Sequence, residues 1–469
     1  MNISKDKIKK ILILRPDAIG DLVLITPAIH ALRQHFPQAH IAILVQKYTS
    51  DLVKVHPDID EVILDDIRDK KINNLKDYLN YVRRIKAKKF DLAIDFYSFD
   101  YRYPLMMLLA GIPYRIGDKS RIMLRPFYNL GTTLQYKDYT KHMVDFHLEL
   151  LKKIGVNSND PRLNIFVPPE VINQFKIRLS ELGITDSDWL VGIHPGCGAS
   201  RKWDSKGYAE LCDTLQEKYG AKVIITGGPR EREKAAEIYT LCKKKPINLV
   251  EKTSLAELTA LIKRLNIYIG VDTGPIHLAA AIGTPVVMLV LAKNVKAVRW
   301  GPWKTNHQII YPHPEAACPI YCDPGKCQSS YCTDKLTVDK IITAVEQLRN
   351  NQSQTIEDWH KLVFNVLVVY DQANQAQAQA LLQKLEQKGY HCVLQPAEQV
   401  KGIRYLLKLI EIENILIFHH LGQKALLTTR LANLLSGIYT TNATVMVRGF
   451  KPDQDILAQY EKAFQESLF

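Results

Sequence analysis

Short apolar runs alternate with amphipathic stretches twice along this chain, and each series holds a glycine-bearing turn where a buried strand runs into a helix. In the first series Ile11–Leu14, Ile41–Val45, Glu61–Leu64 and Leu92–Asp95 read as strands. Leu22–Arg33 and Asn74–Lys86 read as helices between them, with further helical segments at Leu105–Ala110 and Tyr139–Ile154. In the second, Leu190–His194, Lys222–Thr226 and Ile247–Leu249 are strands, and Gly207–Tyr219, Arg230–Lys243 and Leu255–Arg264 helices. Strands joined through helices pair in parallel, and a parallel sheet needs helices on both faces. Between the series, Asn157–Pro169 has the Asn, Asp and Pro content of a linker. The pattern predicts an α/β chain of two Rossmann-like domains, 1–165 and 166–350, facing a cleft. A third small α/β domain is expected at 360–469, with strands at Phe364–Tyr370, His391–Gln395, Ile415–His419 and Thr444–Val447. Helices Gln375–Lys388, Val400–Ile410, Lys424–Leu435 and Asp455–Ser467 would interleave with them. No catalytic motif stands in this last unit, so an oligomerisation or docking role competes with a degenerate appendage.

At 469 residues the chain exceeds what one core organises. Its net charge of +13 favours a polyanionic partner: nucleic acid, an anionic membrane face or a phosphorylated glycolipid. No nucleic-acid recognition motif is present, so nucleic acid is not expected. The basic start is followed by an apolar run, Ile11–Leu14, too short for a secretory signal and ended by Arg15. The longest apolar run, Leu278–Ala292, is broken by Gly283 and Pro285 and reads as a buried helix followed by a strand. A cytoplasmic location follows as the expectation, with peripheral contact at the anionic inner membrane surface.

The richest block is Tyr268-Ile-Gly-Val-Asp272-Thr273-Gly274-Pro-Ile-His277, which leads into a small-residue helix closed by Gly283-Thr-Pro285. A helix start offers free N–H groups and the positive end of a dipole, a ready phosphate site. Asp272 or Thr273 would cap it, Gly274 lets a ligand approach the backbone, and His277 lies one turn in. An ordinary strand–turn–helix with a capping Asp explains the block equally well by itself. Far upstream, Ile11-Leu-Ile-Leu-Arg15-Pro-Asp17-Ala-Ile-Gly20-Asp21 repeats the design.

Together and in this order, the two blocks resemble the bacterial heptosyltransferase family, glycosyltransferase family 9, over roughly the first three quarters of the chain. The resemblance implies the glycosyltransferase B architecture and an inverting transfer of heptose from ADP-heptose to a lipopolysaccharide inner-core acceptor. It also implies residue roles. Asp21 matches the family's catalytic Asp, a base for the acceptor hydroxyl; an N-cap Asp is the alternative, and Asp17 and Asp95 compete for the role. Lys202, in the loop His194-Pro-Gly-Cys-Gly-Ala-Ser200-Arg201-Lys202-Trp203, matches a basic residue that meets the diphosphate and stabilises its departure. Ser200 and Arg201 would join it in binding donor, while Trp203 would anchor the loop in the core and His194 would be structural. Glu231 aligns with an acid that accepts both ribose hydroxyls, with Glu233 as its alternative. Asp272, Thr273, Gly274 and His277 would complete the donor site. On the acceptor side, Arg115, Lys119 and Arg121 suit carboxylates and phosphates, or form a solvated loop.

Cys318-x3-Cys322-x4-Cys327-x4-Cys332 places four thiols in one compact segment, suited to a structural zinc or iron. Two disulfides are the rival. A protein-modifying branch of the family holds iron with four cysteines; none of its chemistry requires a metal cofactor. Other readings stay open: a family member using another nucleotide sugar or a protein acceptor, a nucleotide-sugar epimerase, and a catalytically idle nucleotide-binding or assembly protein.

Overall fold

The computed structural model describes residues 5–354, apart from 70, 73, 97–99, 135–140, 197–202, 292–296, 312–330 and 335. Beyond 354 it describes three strands and residues 375, 376, 379, 380 and 383. In the N-terminal half the strands are β1 (Lys10–Leu14), β2 (His40–Val45), β3 (Glu61–Leu64), β4 (Leu92–Asp95), β5 (Tyr114–Asp118) and β6 (Leu130–Thr132). They form one sheet in the order 3-2-1-4-5-6, every pairing parallel. Helices α1 (Ile19–Leu24), α2 (Thr26–His35), α3 (Leu75–Ala87), α4 (Arg102–Leu109) and α5 (Met143–Lys152) cover it. Leu22–Arg33 is two helices rather than the expected one. Pro27 cannot donate a bond back into the preceding turn, and the Thr26 hydroxyl caps that turn by donating to Val23 O at 2.7 Å.

The second half repeats the plan with α6 (Pro169–Glu181), β7 (Leu190–His194), α7 (Ser205–Tyr219), β8 (Lys222–Ile225), α8 (Arg232–Leu241) and β9 (Ile247–Asn248). It continues with α9 (Leu255–Arg264), β10 (Ile267–Val271), α10 (Gly274–Ile282), β11 (Val286–Leu289), α11 (Ala297–Trp300), β12 (His307–Ile310), α12 (Tyr331–Asp334) and α13 (Val338–Arg349). Its parallel sheet has the order 12-11-10-7-8-9, the same winding with the first-entered strand again beside the fourth. In such sheets ligands bind beyond the carboxyl ends of the strands, where the order reverses. Those points lie between β1 and β4 and between β7 and β10.

Three apolar clusters hold the fold. One backs the outer face of the first sheet, with Tyr81, Tyr103 and Met106, and one the outer face of the second, with Trp203, Tyr208 and Ile341. The third runs unbroken from one half to the other, joining Ile11, Leu22 and Phe146 to Leu190, Ile276 and Leu278. The halves also meet at α5, where His142 Nε2 donates to Gly301 O (3.1 Å) and its ring stacks on Trp303, whose indole donates to Pro161 O. The two sheets, with the helices packed between them, form the glycosyltransferase B architecture. Beyond them, β13 (Asn365–Tyr370), β14 (His391–Pro396) and β15 (Ile415–Leu421) form a parallel sheet in the order 14-13-15. The expected strand Thr444–Val447 and the helices at Val400–Ile410, Lys424–Leu435 and Asp455–Ser467 lie outside the described residues. Among the described residues no helix is long and apolar enough to cross a membrane.

Candidate active site

The two sequence blocks meet. Helix α1 leaves the carboxyl end of β1, α10 leaves that of β10, and their first turns touch. A Cβ on Gly20 would stand 2.6 Å from His277 Cδ2, and one on Gly274 would stand 2.6 Å from Ile19 Cβ. Both positions therefore demand glycine because a neighbour fills the space. The contact brings the carboxylates of Asp21 and Asp272 into one cleft.

Asp21 does not cap its helix. It lies inside the first turn of α1, whose N-cap residue is Ala18, and its carboxylate takes a 2.5 Å bond from Arg15 Nη2. Arg15 is wholly buried at the switch point of the first sheet. Its other terminal nitrogen donates to Phe96 O, just beyond β4, and its Nε stands 3.7 Å from Asp17. A guanidinium is a planar fork with five donors, suited to span two strand ends and a carboxylate at once. Sequence reasoning assigned Arg15 nothing, although a charge at the end of an apolar strand was its signal. Of the competing acids, Asp17 is shared between Arg15 and Arg68 (3.0 Å), and burial raises its pKa. Asp95 is buried and accepts from the Tyr128 hydroxyl at 2.7 Å.

Asp272 sits across the cleft, and among the described residues no Lys or Arg is bonded to it. Burial, and then the charge of Asp21, push its carboxyl up to about 7. His277 Nε2 is 3.9 Å from Asp272 Oδ1, beyond hydrogen-bond distance, and burial lowers the imidazole to about 4, so a neutral ring rather than a cation stands beside the carboxylate. Its Nδ1 has no partner among the described residues. Thr273 is the N-cap residue of α10 yet makes no side-chain bond to the helix; its hydroxyl donates back to Val271 O at 3.0 Å. Thr273 thus leaves the start of α10 uncapped by a side chain; Pro275 has no N–H and Ile276 N–H donates to Thr273 O at 3.1 Å, so Gly274 N–H and the helix dipole are what this turn offers an anion.

At the other side of this second switch point, the Nδ1 of buried His194 pairs with Thr226 O at 3.2 Å. Glu231 ends a 3-10 turn, Pro229–Glu231, after β8 and is the N-cap residue of α8. Its Oε2 accepts from Gly228 N–H at 2.8 Å, which fixes the carboxylate, and Oε1 faces Gly196. Glu233 points elsewhere, into a groove between α7 and α8 that Asp204, Ser205 and Glu237 also line. Ser200, Arg201 and Lys202 lie outside the described residues, in the loop between Gly196 and Trp203. Trp203 is buried edge-on against Tyr208, as its anchoring role requires.

The acceptor candidates separate. Arg115 is near the amino end of β5, and its guanidinium donates to Phe127 O (2.8 Å) and Ile112 O (2.6 Å), away from the cleft end. Lys119 and Arg121 directly follow the carboxyl end of β5. Cys318, Cys322 and Cys327 lie outside the described residues, as does the Cys332 side chain, whose backbone is in α12.

Residues 78–322 match the profile of glycosyltransferase family 9 (heptosyltransferase). The chain belongs to that family. Among curated relatives it is 29% identical over 301 residues to lipopolysaccharide heptosyltransferase 3 of Escherichia coli K12, covering 61% of this chain and 83% of the relative. Its fold matches a family 9 glycosyl transferase from Veillonella parvula with a TM-score of 0.66 at 24% identity, over 75% of this chain and 99% of the other. It also matches E. coli ADP-heptose lipopolysaccharide heptosyltransferase II, with a TM-score of 0.59 at 19% identity, over 73% and 99%. The chain is thus a glycosyltransferase enzyme of two Rossmann-like domains, and its cleft is where a transferase of this architecture does its chemistry.

Proposed function

We propose that this glycosyltransferase moves heptose from ADP-heptose, with inversion, to a lipopolysaccharide inner-core acceptor. The observation that carries the reading is the meeting of the Gly20-Asp21 turn with the Thr273–His277 helix start, which puts a carboxylate and an anion site in one cleft. In this reading the donor lies on the C-terminal half. Its diphosphate rests on the first turn of α10, between Thr273, Gly274 and neutral His277 on one side and Ser200, Arg201 and Lys202 on the other. Glu231 accepts the ribose hydroxyls, and Asp272, in its protonated form, donates to donor oxygens. Asp21, aimed by Arg15, takes the proton of the acceptor hydroxyl as that oxygen attacks the anomeric carbon from the face opposite ADP. Lys202 and the helix dipole stabilise the charge that develops on the departing diphosphate.

Lys119 and Arg121 at the cleft end of the first sheet suit acceptor phosphates, and Arg115 supports the β5 turn behind them. The names borne by relatives, lipopolysaccharide and ADP-heptose heptosyltransferases, favour this donor and acceptor over others. No metal is needed for the chemistry; the four cysteines at 318, 322, 327 and 332 would hold a structural zinc or iron, checked by metal analysis of the purified protein.

Calorimetric titration with ADP-heptose, ADP, UDP and UDP-sugars tests the donor. ADP ligands should bind selectively, and Glu231→Ala and Lys202→Ala should each weaken them. Preference for UDP ligands would move the reading to another sugar transferase or an epimerase, and absence of any nucleotide binding would leave an assembly protein.

A further inference from the structure

The two most exposed large apolar side chains among the described residues are adjacent: Met123 at 86% and Ile122 at 74%. They open a 3-10 helix, Ile122–Phe127, that follows the carboxyl end of β5. The segment is not loosely placed. Leu124 is buried against α4, in the cluster with Tyr103 and Met107, and Arg125 Nε donates to Lys119 O at 2.6 Å. A rigid base thus holds two bare aliphatic side chains out of the protein. Tyr101, 62% exposed at the start of α4, stands at the same end of the sheet because α4 leaves the carboxyl end of β4.

Along the chain the pair is flanked by charge of one sign. From Lys119 to Leu134 the chain carries Lys119, Arg121 and Arg125 and no acid; Asp118, the nearest, is buried, accepting from Ser120 N–H and Leu134 N–H. An exposed apolar pair within a basic collar fits the interface of an anionic bilayer, where aliphatic tips enter the headgroup–acyl boundary and Lys or Arg meet lipid phosphates. A protein partner of ordinary interface character would instead deplete Lys at the patch and offer polar pairing at its rim.

We propose that Ile122 and Met123, collared by Lys119, Arg121 and Arg125, form a membrane wedge that docks the N-terminal half on an anionic phospholipid surface. The wedge lies beside the acceptor end of the cleft, so docking would present a lipid-borne acceptor to Asp21; only that consequence rests on the proposed function.

Flotation of the full chain with phosphatidylglycerol–phosphatidylethanolamine vesicles tests the wedge, with phosphatidylcholine vesicles as the neutral comparison. The wild type should float with the anionic vesicles and at least tenfold less with the neutral ones. Ile122→Ser with Met123→Ser should cut anionic binding about tenfold or more while leaving ADP affinity unchanged. Ile177→Ser, at an equally bare position on α6 (61% exposed), should leave vesicle binding as it was. Undiminished binding of the double variant, an equal loss in Ile177→Ser, or a dimer in sedimentation that the double variant dissolves would each overturn the wedge. Vesicle binding is read without donor or acceptor, so a blank nucleotide titration would remove the proposed function and leave the wedge standing.

Discussion

The turn after β1 and the turn after β10 share one local design, an apolar strand, an Asp and a glycine at a helix start, yet their carboxylates live in opposite electrostatic settings. Asp21 is bonded to a buried guanidinium that also ties down the end of β4. Among the described residues Asp272 has neutral His277 and the start of α10 beside it, and burial raises its carboxyl to about 7. The first carboxylate is aimed by a guanidinium, and the second is kept ready to hold a proton. Chain-local sequence cannot distinguish them, because the difference comes from a residue six positions upstream and from a strand end more than seventy residues away.

The largest effect expected from that contrast is in Asp21→Asn. It should lower transfer by about 10²–10⁴-fold, the range of a general base, while ADP affinity in calorimetry stays within a few-fold. Unchanged turnover would remove the base and leave the two turns chemically alike. Arg15 comes next. Arg15→Met strands Phe96 O and the half-buried carboxylates of Asp17 and Asp21, at a cost on the order of 1–3 kcal/mol in thermal or urea unfolding. Arg15→Lys keeps the charge but loses the fork, so the fold should survive while kcat falls about 10–100-fold with ADP affinity intact, as expected of a misaimed base. If Arg15→Lys turned over like the wild type, Arg15 would be a core ion pair and nothing more.

Much of this arrangement was legible from the chain. The strand–helix alternation located most elements of the first two sheets to within a residue or two, because parallel strands buried on both faces leave near-continuous apolar runs. Helix α6 escaped because Pro168-Pro169 reads as linker, whereas Pro169 instead occupies the first helical turn, where its missing N–H costs nothing. The paired blocks identified Asp21 and the α10 turn, but local sequence left an N-cap as an equal reading of Asp21. The structure decides against the cap because Ala18 holds the N-cap position and Arg15 takes the carboxylate. Arg115 shows the opposite limit. Its basic stretch pointed to an anion, and only the strand direction shows that it stands at the far end of β5 from Lys119.

The contact between the turns is the next place to press. Gly20→Ala would drive a methyl into the buried ring of His277, at 2.6 Å from Cδ2, and neither helix start can retreat without disturbing the shared core. We expect roughly 1–3 kcal/mol of lost stability and a fall of about tenfold in kcat/KM, since the base and the anion site would no longer be spaced together. An Ala variant of full activity would show that the closeness of the turns is incidental to transfer.

The smallest effect is electrostatic. The folded carboxyl of Asp272 titrates near 7 and an unfolded one near 4, so between those values the native chain holds a proton that the unfolded chain has released. Stability should therefore be complete below about pH 4, decline as pH rises towards 7, and level off above it, by roughly 1–3 kcal/mol across the window after allowing for the part of the carboxyl open to water. Asp272→Asn, which cannot ionise, should remove that decline and be the more stable protein at pH 8. The same charge faces the α10 anion site, so ADP affinity should weaken several-fold from pH 6 to 8 in the wild type and stay level in Asp272→Asn. Parallel pH profiles for the two proteins would mean that Asp272 is ionised throughout, and that the two turns carry the same charge after all.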